Sequence, residues 1–156
     1  MPTAGTVTST FVKASPEDIF AYISDLSRHG EWAAADLKVE AISGGAVAVG
    51  SEYRSVASSG GKEFHGDIRV TEYSPPSRFS FVVNDETGRH THEYSTNGER
   101  AGALLEHRVI SELSPIGYIK FKLFDWPRRD KQAMETAYKN LRSKLEPEVP
   151  GSLRPR

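Results

Sequence analysis

The chain has five histidines, six tyrosines and no cysteine, so chemistry near neutral pH would rest on imidazole and phenol groups rather than thiols. His90, His92, Tyr94 and Thr96 alternate along one extended segment and therefore share a face. His107 and Leu105 alternate in the same way on the next segment, so a hairpin closing through Asn97-Gly98 would bring them near His92 and Tyr94. Imidazole titrates near neutrality and a phenol can donate to an enolate oxygen. His92, His107, Tyr94 and Tyr53 thus form a candidate proton-relay set for aldol cyclisation or dehydration. The plainer alternative is that these side chains pack together and satisfy one another's hydrogen bonds. His90-x-His92 has the spacing of a metal pair, but alternation puts Glu106 on the face opposite His107, so no metal and no cofactor is expected. Asp36, Glu40, Glu52, Glu72 and Glu93 form no paired-carboxylate site.

The elements that must position these groups follow from local chemistry. Residues 5–13 are rich in Thr and Val, which suit a pleated strand. Ser15-Pro16-Glu17-Asp18 is a helix start: Ser15 caps, Pro16 needs no amide donor, and the two acids face the positive end of the dipole. Ile19, Phe20 and Ile23 make its buried stripe, and a second short helix is expected from Ser27 to near Trp32. Strands are then predicted at about 37–43, 50–58, 62–74, 78–84, 89–97 and 103–113, separated by Gly, Pro and Asn turns too short for anything but hairpins. From Ser114-Pro115 the chain turns helical, Pro127 interrupts it, and Met134, Ala137, Tyr138, Leu141 and Leu145 recur at helical spacing.

These patterns predict an α+β domain in which a curved, seven-stranded antiparallel sheet wraps a long C-terminal helix. On the inward face alternation places Phe79, Phe81 and Val83, then Phe64, Gly66, Ile68 and Val70, then Leu105, His107, Val109, Ser111 and Leu113. Tyr53, Ser55 and Ala57 join them, and the small Ser55, Ala57 and Gly66 beside large aromatics are expected to leave space unfilled. The domain is expected over residues 5–146, with a flexible N-terminus at 1–4 and a disordered tail at 147–156. Lys and Arg number 20 against 21 Asp and Glu, so no global field favours nucleic acid or an anionic membrane. No stretch approaches the roughly 18 apolar residues of a membrane span, and Met1–Gly5 lacks the basic start and apolar run of a signal peptide. A cytoplasmic protein without stable membrane insertion is the expectation. Arg128, Arg129, Lys131, Lys139, Arg142 and Lys144 read as the solvated face of the last helix.

Three segments carry a family resemblance: Ala14-Ser15-Pro16-Glu17-Asp18-Ile19-Phe20 followed by Asp25 and Trp32, the strand–turn–strand Val70–Phe79, and Leu105–Val109 before the helical end. Their order and spacing resemble the START-like, helix-grip (SRPBCC) superfamily, in its polyketide cyclase/dehydrase and lipid-transport branch, over about residues 5–146. The resemblance implies a cavity between helix and sheet. It implies no reaction, since the superfamily holds binders, carriers, cyclases and proteins without known activity, and no catalytic residue transfers.

The functional expectation is therefore a hydrophobic or aromatic small molecule, lipid- or polyketide-like, held in that cavity. Val70, Phe79, Phe81, Leu105, Met134 and Tyr138 would supply apolar contact, and Trp32, Phe121, Phe124 and Trp126 wall and lid. His92, His107, Tyr94 and Tyr53 would orient a polar end, with His92, His107 and Tyr94 the catalytic candidates if the protein is instead a cyclase or dehydratase. A third reading is an interaction module using the apolar run Ile116–Trp126, which would also suit a homodimer contact or, with Lys120 and Lys122, a membrane surface.

Overall fold

The computed structural model describes residues 3–59, 61–123 and 126–147, without the side chains of 59, 126, 127 and 130. Seven strands, β1 (Thr3–Val12), β2 (Asp36–Ala41), β3 (Glu52–Ser59), β4 (Lys62–Ser74), β5 (Arg78–Asp85), β6 (Gly88–Glu99) and β7 (Gly102–Leu113), form one antiparallel sheet in the order β1-β7-β6-β5-β4-β3-β2. From β2 onward each strand pairs with the next, as the turn residues predict. The first strand instead pairs with the last, Thr3 opposite Glu112 through Val12 opposite Ala103. β1 thus begins two residues earlier than predicted, which puts Thr3 and Ala4 in the sheet. The segment expected to be a disordered tail lies, from residue 148 on, outside the described residues.

Helix α1 (Pro16–Ile23) begins as its sequence requires. The Ser15 Oγ accepts the Asp18 N–H at 3.1 Å, and Pro16 occupies the first turn. Its Ile19, Phe20, Tyr22 and Ile23 are buried, and the second short helix expected from Ser27 follows as a 3₁₀ segment (Leu26–Glu31). Helix α2 (Pro115–Leu123) starts where Ser114-Pro115 indicates, with Gly117 N–H donating to the Ser114 Oγ at 3.1 Å. Helix α3 (Trp126–Leu145) buries Ala137, Tyr138 and Leu141. Its alignment on β1 is a matter of matched periods. Tyr138 bonds Thr8, Arg142 bonds Thr10, and Glu146 accepts the Lys13 N–H. Four helical residues advance about 6 Å and two strand residues about 6.6 Å, so Tyr138 and Arg142 meet Thr8 and Thr10 in step. Glu146, just past α3, reaches the Lys13 amide three residues further on, just past β1.

Two details of register differ from the sequence reading. Asn97 and Gly98 lie within β6, opposite Leu104 and Ala103, and the hairpin closes at Arg100-Ala101 with Ala101 at φ 68°. Gly102 explains the choice, because a Cβ there would stand 2.2 Å from the Val12 carbonyl oxygen. The hairpin still brings the expected groups together, with Tyr94 opposite His107 and Thr96 opposite Leu105. The second detail is a bulge between Val70 and Glu72, which restores Tyr73 to the inward face, where its ring meets Phe20 at 5.4 Å.

Candidate functional site

The inward face of the sheet divides into two halves. Under α1 it is solid: Phe20 inserts edge-on between Tyr73 and Phe79, and His29 of the 3₁₀ segment lies 4.9 Å from Trp32 and 6.0 Å from Phe81. Under α2 and the first half of α3 it is open, with a cavity of about 800 Å³. Its floor is the early part of β1 (Ala4, Thr6), the late part of β7 (Val109, Ser111, Leu113), His90 and His92 of β6, and Val83 and Asp85 of β5. Phe64 and Ala57 close one side. Lys120, Phe121, Ala133 and Met134 are the helical wall.

Of the predicted ligand contacts, His92, His107, Phe121 and Met134 border this cavity. Trp32, Tyr53, Val70, Phe79, Phe81, Tyr94, Leu105 and Tyr138 do not. They belong to the buried core, because α1 and the 3₁₀ segment fill the space those strands face. Phe124 lies outside the described residues, as does the side chain of Trp126. The space expected beside Gly66 is also occupied: a Cβ there would be 2.6 Å from Ser55 Oγ and 2.8 Å from Val83 Cγ1. The open volume begins two residues further along the same β3–β4 pair, at Ala57 opposite Phe64.

The four groups of the predicted relay are partly assembled. His92 Nδ1 and His107 Nε2 are 3.0 Å apart, one of them donating, and Tyr94 stacks on His107 at 4.2 Å with 11° between ring planes. Phe81 stacks on His92 at 4.8 Å. Tyr53 is elsewhere, in the core on β3 opposite Ile68. Burial sets the electrostatics of this stack. It pushes His107 down to about 3, helped by His29, and holds His92 well below its ordinary value, helped by repulsion from His107 and His90. Burial likewise raises the Tyr94 phenol. Both imidazoles are therefore neutral at physiological pH, as hydrogen-bonding groups and poor bases. Among the described residues neither His107 Nδ1 nor Trp32 Nε1, both buried, has a hydrogen-bond partner.

His90 does not pair with His92 for a metal. Its ring is engaged by Asp85, Thr87 and Ser111, and among the described residues no cluster of three His, Asp or Glu side chains could hold an ion. Asp85 and Thr87 were legible in the sequence only as a turn. Alternation did place Ser111 on the His107 face, but nothing in its spacing linked it to His90.

α2 exposes Ile116, Ile119 and Leu123, at 62%, 56% and 71%. No helix among the described residues is long and apolar enough to cross a membrane.

A curved antiparallel sheet gripping a C-terminal helix, with a cavity between them, is the helix-grip architecture of START-like proteins. Residues 4–146 match the family described as polyketide cyclase/dehydrase and lipid transport, and the chain belongs to that family. No curated protein matches it. Solved structures share its fold at low identity. A Thermus thermophilus protein is 18% identical, with 90% of this chain and 96% of that one aligned at a TM-score of 0.73. A START superfamily protein from Mycobacterium smegmatis is 14% identical, with 91% and 97% aligned at 0.72. The di-domain ARO/CYC StfQ of the steffimycin biosynthetic pathway is 11% identical and also aligns at 0.72, over 92% of this chain and 51% of its own.

Proposed function

We propose that the protein binds a hydrophobic small molecule, lipid- or polyketide-like, in the cavity under α2. The observation that carries this reading is the contrast in filling: about 800 Å³ lies open beside a core whose aromatic side chains are in contact. That volume is in the range of small-molecule sites, and its wall combines apolar side chains with polar ones from several elements, among them Lys62, His90, Ser111 and Lys120. Val83, Val109, Phe64 and Met134 would supply the apolar contact. His92 and His107 would orient a polar group. Their depressed basicity favours this role over that of acid–base catalyst in a cyclase or dehydratase.

The test is native mass spectrometry of freshly purified protein with organic extraction, alongside titration with an environment-sensitive dye such as anilinonaphthalene sulfonate. A co-purifying hydrophobic molecule, or dye binding that Val109→Phe weakens at least about tenfold (about 1.4 kcal/mol), supports the reading. An apo mass together with dye binding indifferent to Val109→Phe overturns it.

A further inference from the structure

Asp85, Thr87, His90 and Ser111 form a hydrogen-bonded chain on the cavity wall that hydrophobic binding alone does not require. Asp85 Oδ1 accepts from the Thr87 N–H at 2.8 Å and from the Thr87 hydroxyl at 2.6 Å. With its proton committed, the Thr87 oxygen accepts from His90 Nε2–H at 2.8 Å, and Asp85 Oδ1 shares that proton at 3.2 Å. Nε2 therefore carries the proton of the neutral ring, and Nδ1 offers a bare lone pair. Ser111 Oγ stands 2.7 Å from Nδ1, so its hydroxyl donates to it. All four residues line the cavity.

We infer that Ser111 is a nucleophile, His90 its base and Asp85 the group that orients and stabilises that base, acting on esters or thioesters of hydrophobic acids. The inference rests on the reading of the cavity as a hydrophobic site. Its geometry meets the general requirements: nucleophile within hydrogen-bond reach of base, base within reach of an orienting carboxylate. Burial alone would raise the Asp85 carboxyl, but bonds from His90 and Thr87 outweigh that and hold it below its ordinary value, so it stays anionic beside the ring. Among the described residues no carboxylate is hydrogen-bonded to the His92–His107 pair.

The arrangement is also held rigidly. His90 and Ser111 are register partners across β6 and β7. The turn carrying Asp85 and Thr87 is clamped by the start of α2, where Ser114 N–H donates to the Thr87 carbonyl at 2.9 Å. Gly117 permits this approach, since a Cβ there would stand 2.1 Å from that carbonyl oxygen. Lys120, on the helical wall of the same cavity with its Nζ 5.1 Å from the Phe64 ring centroid, brings a positive charge of the sign a developing oxyanion needs.

In the first step Ser111 Oγ bonds to the acyl carbon as its proton passes to His90 Nδ1. The bond to the alkoxide or thiolate leaving group then breaks as the imidazolium protonates that group. Water attacks the acyl-serine, giving its proton to Nδ1, and Ser111 leaves with that proton as the acid is released. The sum is ester plus water to acid plus alcohol or thiol.

The experiment is to mix the full chain with p-nitrophenyl octanoate, follow nitrophenolate release and locate the acyl group by peptide mass spectrometry. An initial burst with octanoyl on Ser111 is expected. Ser111→Ala should abolish it, His90→Gln should slow it about 100-fold or more, and Asp85→Asn at least about tenfold. No adduct, an adduct on another residue, or an unchanged rate in His90→Gln overturns the inference. Mapping on the unmutated chain keeps the test decisive even where a variant fails to fold. Dye binding measured on that same chain separates the two readings. Binding without acylation sinks the nucleophile alone. Acylation of Ser111 without dye binding sinks the hydrophobic site alone, and neither signal sinks both.

Discussion

The same strands build the closed and the open half of the inward face. β5 contributes Phe79 to one and Val83 and Asp85 to the other; β7 contributes Leu105 and then Val109 and Ser111; β6 contributes Tyr94 and then His90. What differs is the size of the inward side chains and the element laid over them. α1 delivers Ile19, Phe20 and Ile23 into the first half, all fully or nearly fully buried. α2 instead turns Ile116, Ile119 and Leu123 outward, and Gly117 is its buried residue. The face is thus divided by its covering helices, with the stack of Phe81, His92, His107 and Tyr94 as the boundary.

The boundary yields the largest expected effect. His29, His92 and His107 all have folded pKa values below the unfolded value near 6.5, with His29 lowered to about 4 and His107 to about 3, mainly by burial. Below pH 6.5 the unfolded chain therefore binds more protons than the folded one. The stability these groups contribute is complete above that pH and is lost as pH falls toward their folded values. Each histidine removes about 1.4 kcal/mol per pH unit in that window, on the order of 4 kcal/mol for three. Urea melts between pH 7 and pH 5 should show this steep loss, and His107→Gln should make it shallower. A flat profile would mean that these rings protonate freely in the fold.

The next two changes set one half against the other. Phe79→Ala, in the closed half, should cost about 3–5 kcal/mol in chemical denaturation because the surrounding rings cannot collapse onto the void. Val109→Phe, in the open half, grows into empty volume and should cost under about 1.5 kcal/mol while dye binding falls. Equal costs would erase the distinction between the halves. The smallest effect belongs to the seam between α3 and β1. Tyr138→Phe removes the 2.7 Å bond to Thr8 and should destabilise by about 1 kcal/mol, with little change in dye binding.

Much of this was legible in the residues. Alternation located the strands from 62 to 113 and placed His92 and His107 on one face, and Ser15-Pro16 started α1. Parity, however, reports which face a residue takes and not what lies over that face. Phe79 and Val83 have the same parity, and only the packing of α1 consigns one to core and leaves the other on a cavity wall. The Asp85–Thr87–His90–Ser111 chain was hidden for a related reason: it joins a turn to two strands through a register that depends on where β6 ends. Asn97-Gly98 is a strong local hairpin signal, but the tertiary demand for Gly102 against Val12 overrode it.

The bond between His92 and His107 has a consequence for what the cavity wall can recognise. A neutral imidazole carries one proton, so the two rings change tautomer together. If His107 Nε2–H donates, His92 must hold its own proton on Nε2; if His92 Nδ1–H donates, Nε2 is bare. No hydrogen bond among the described residues engages that nitrogen, and His92 borders the cavity. Exchange between the two neutral tautomers, with one proton leaving His92 Nε2 and another reaching His107 Nδ1, would convert one point on the wall from donor to acceptor without moving a heavy atom or changing net charge. In the proposed binding site the same fixed surface would meet a carbonyl in one tautomer and a hydroxyl in the other, acting as an adaptor rather than a filter.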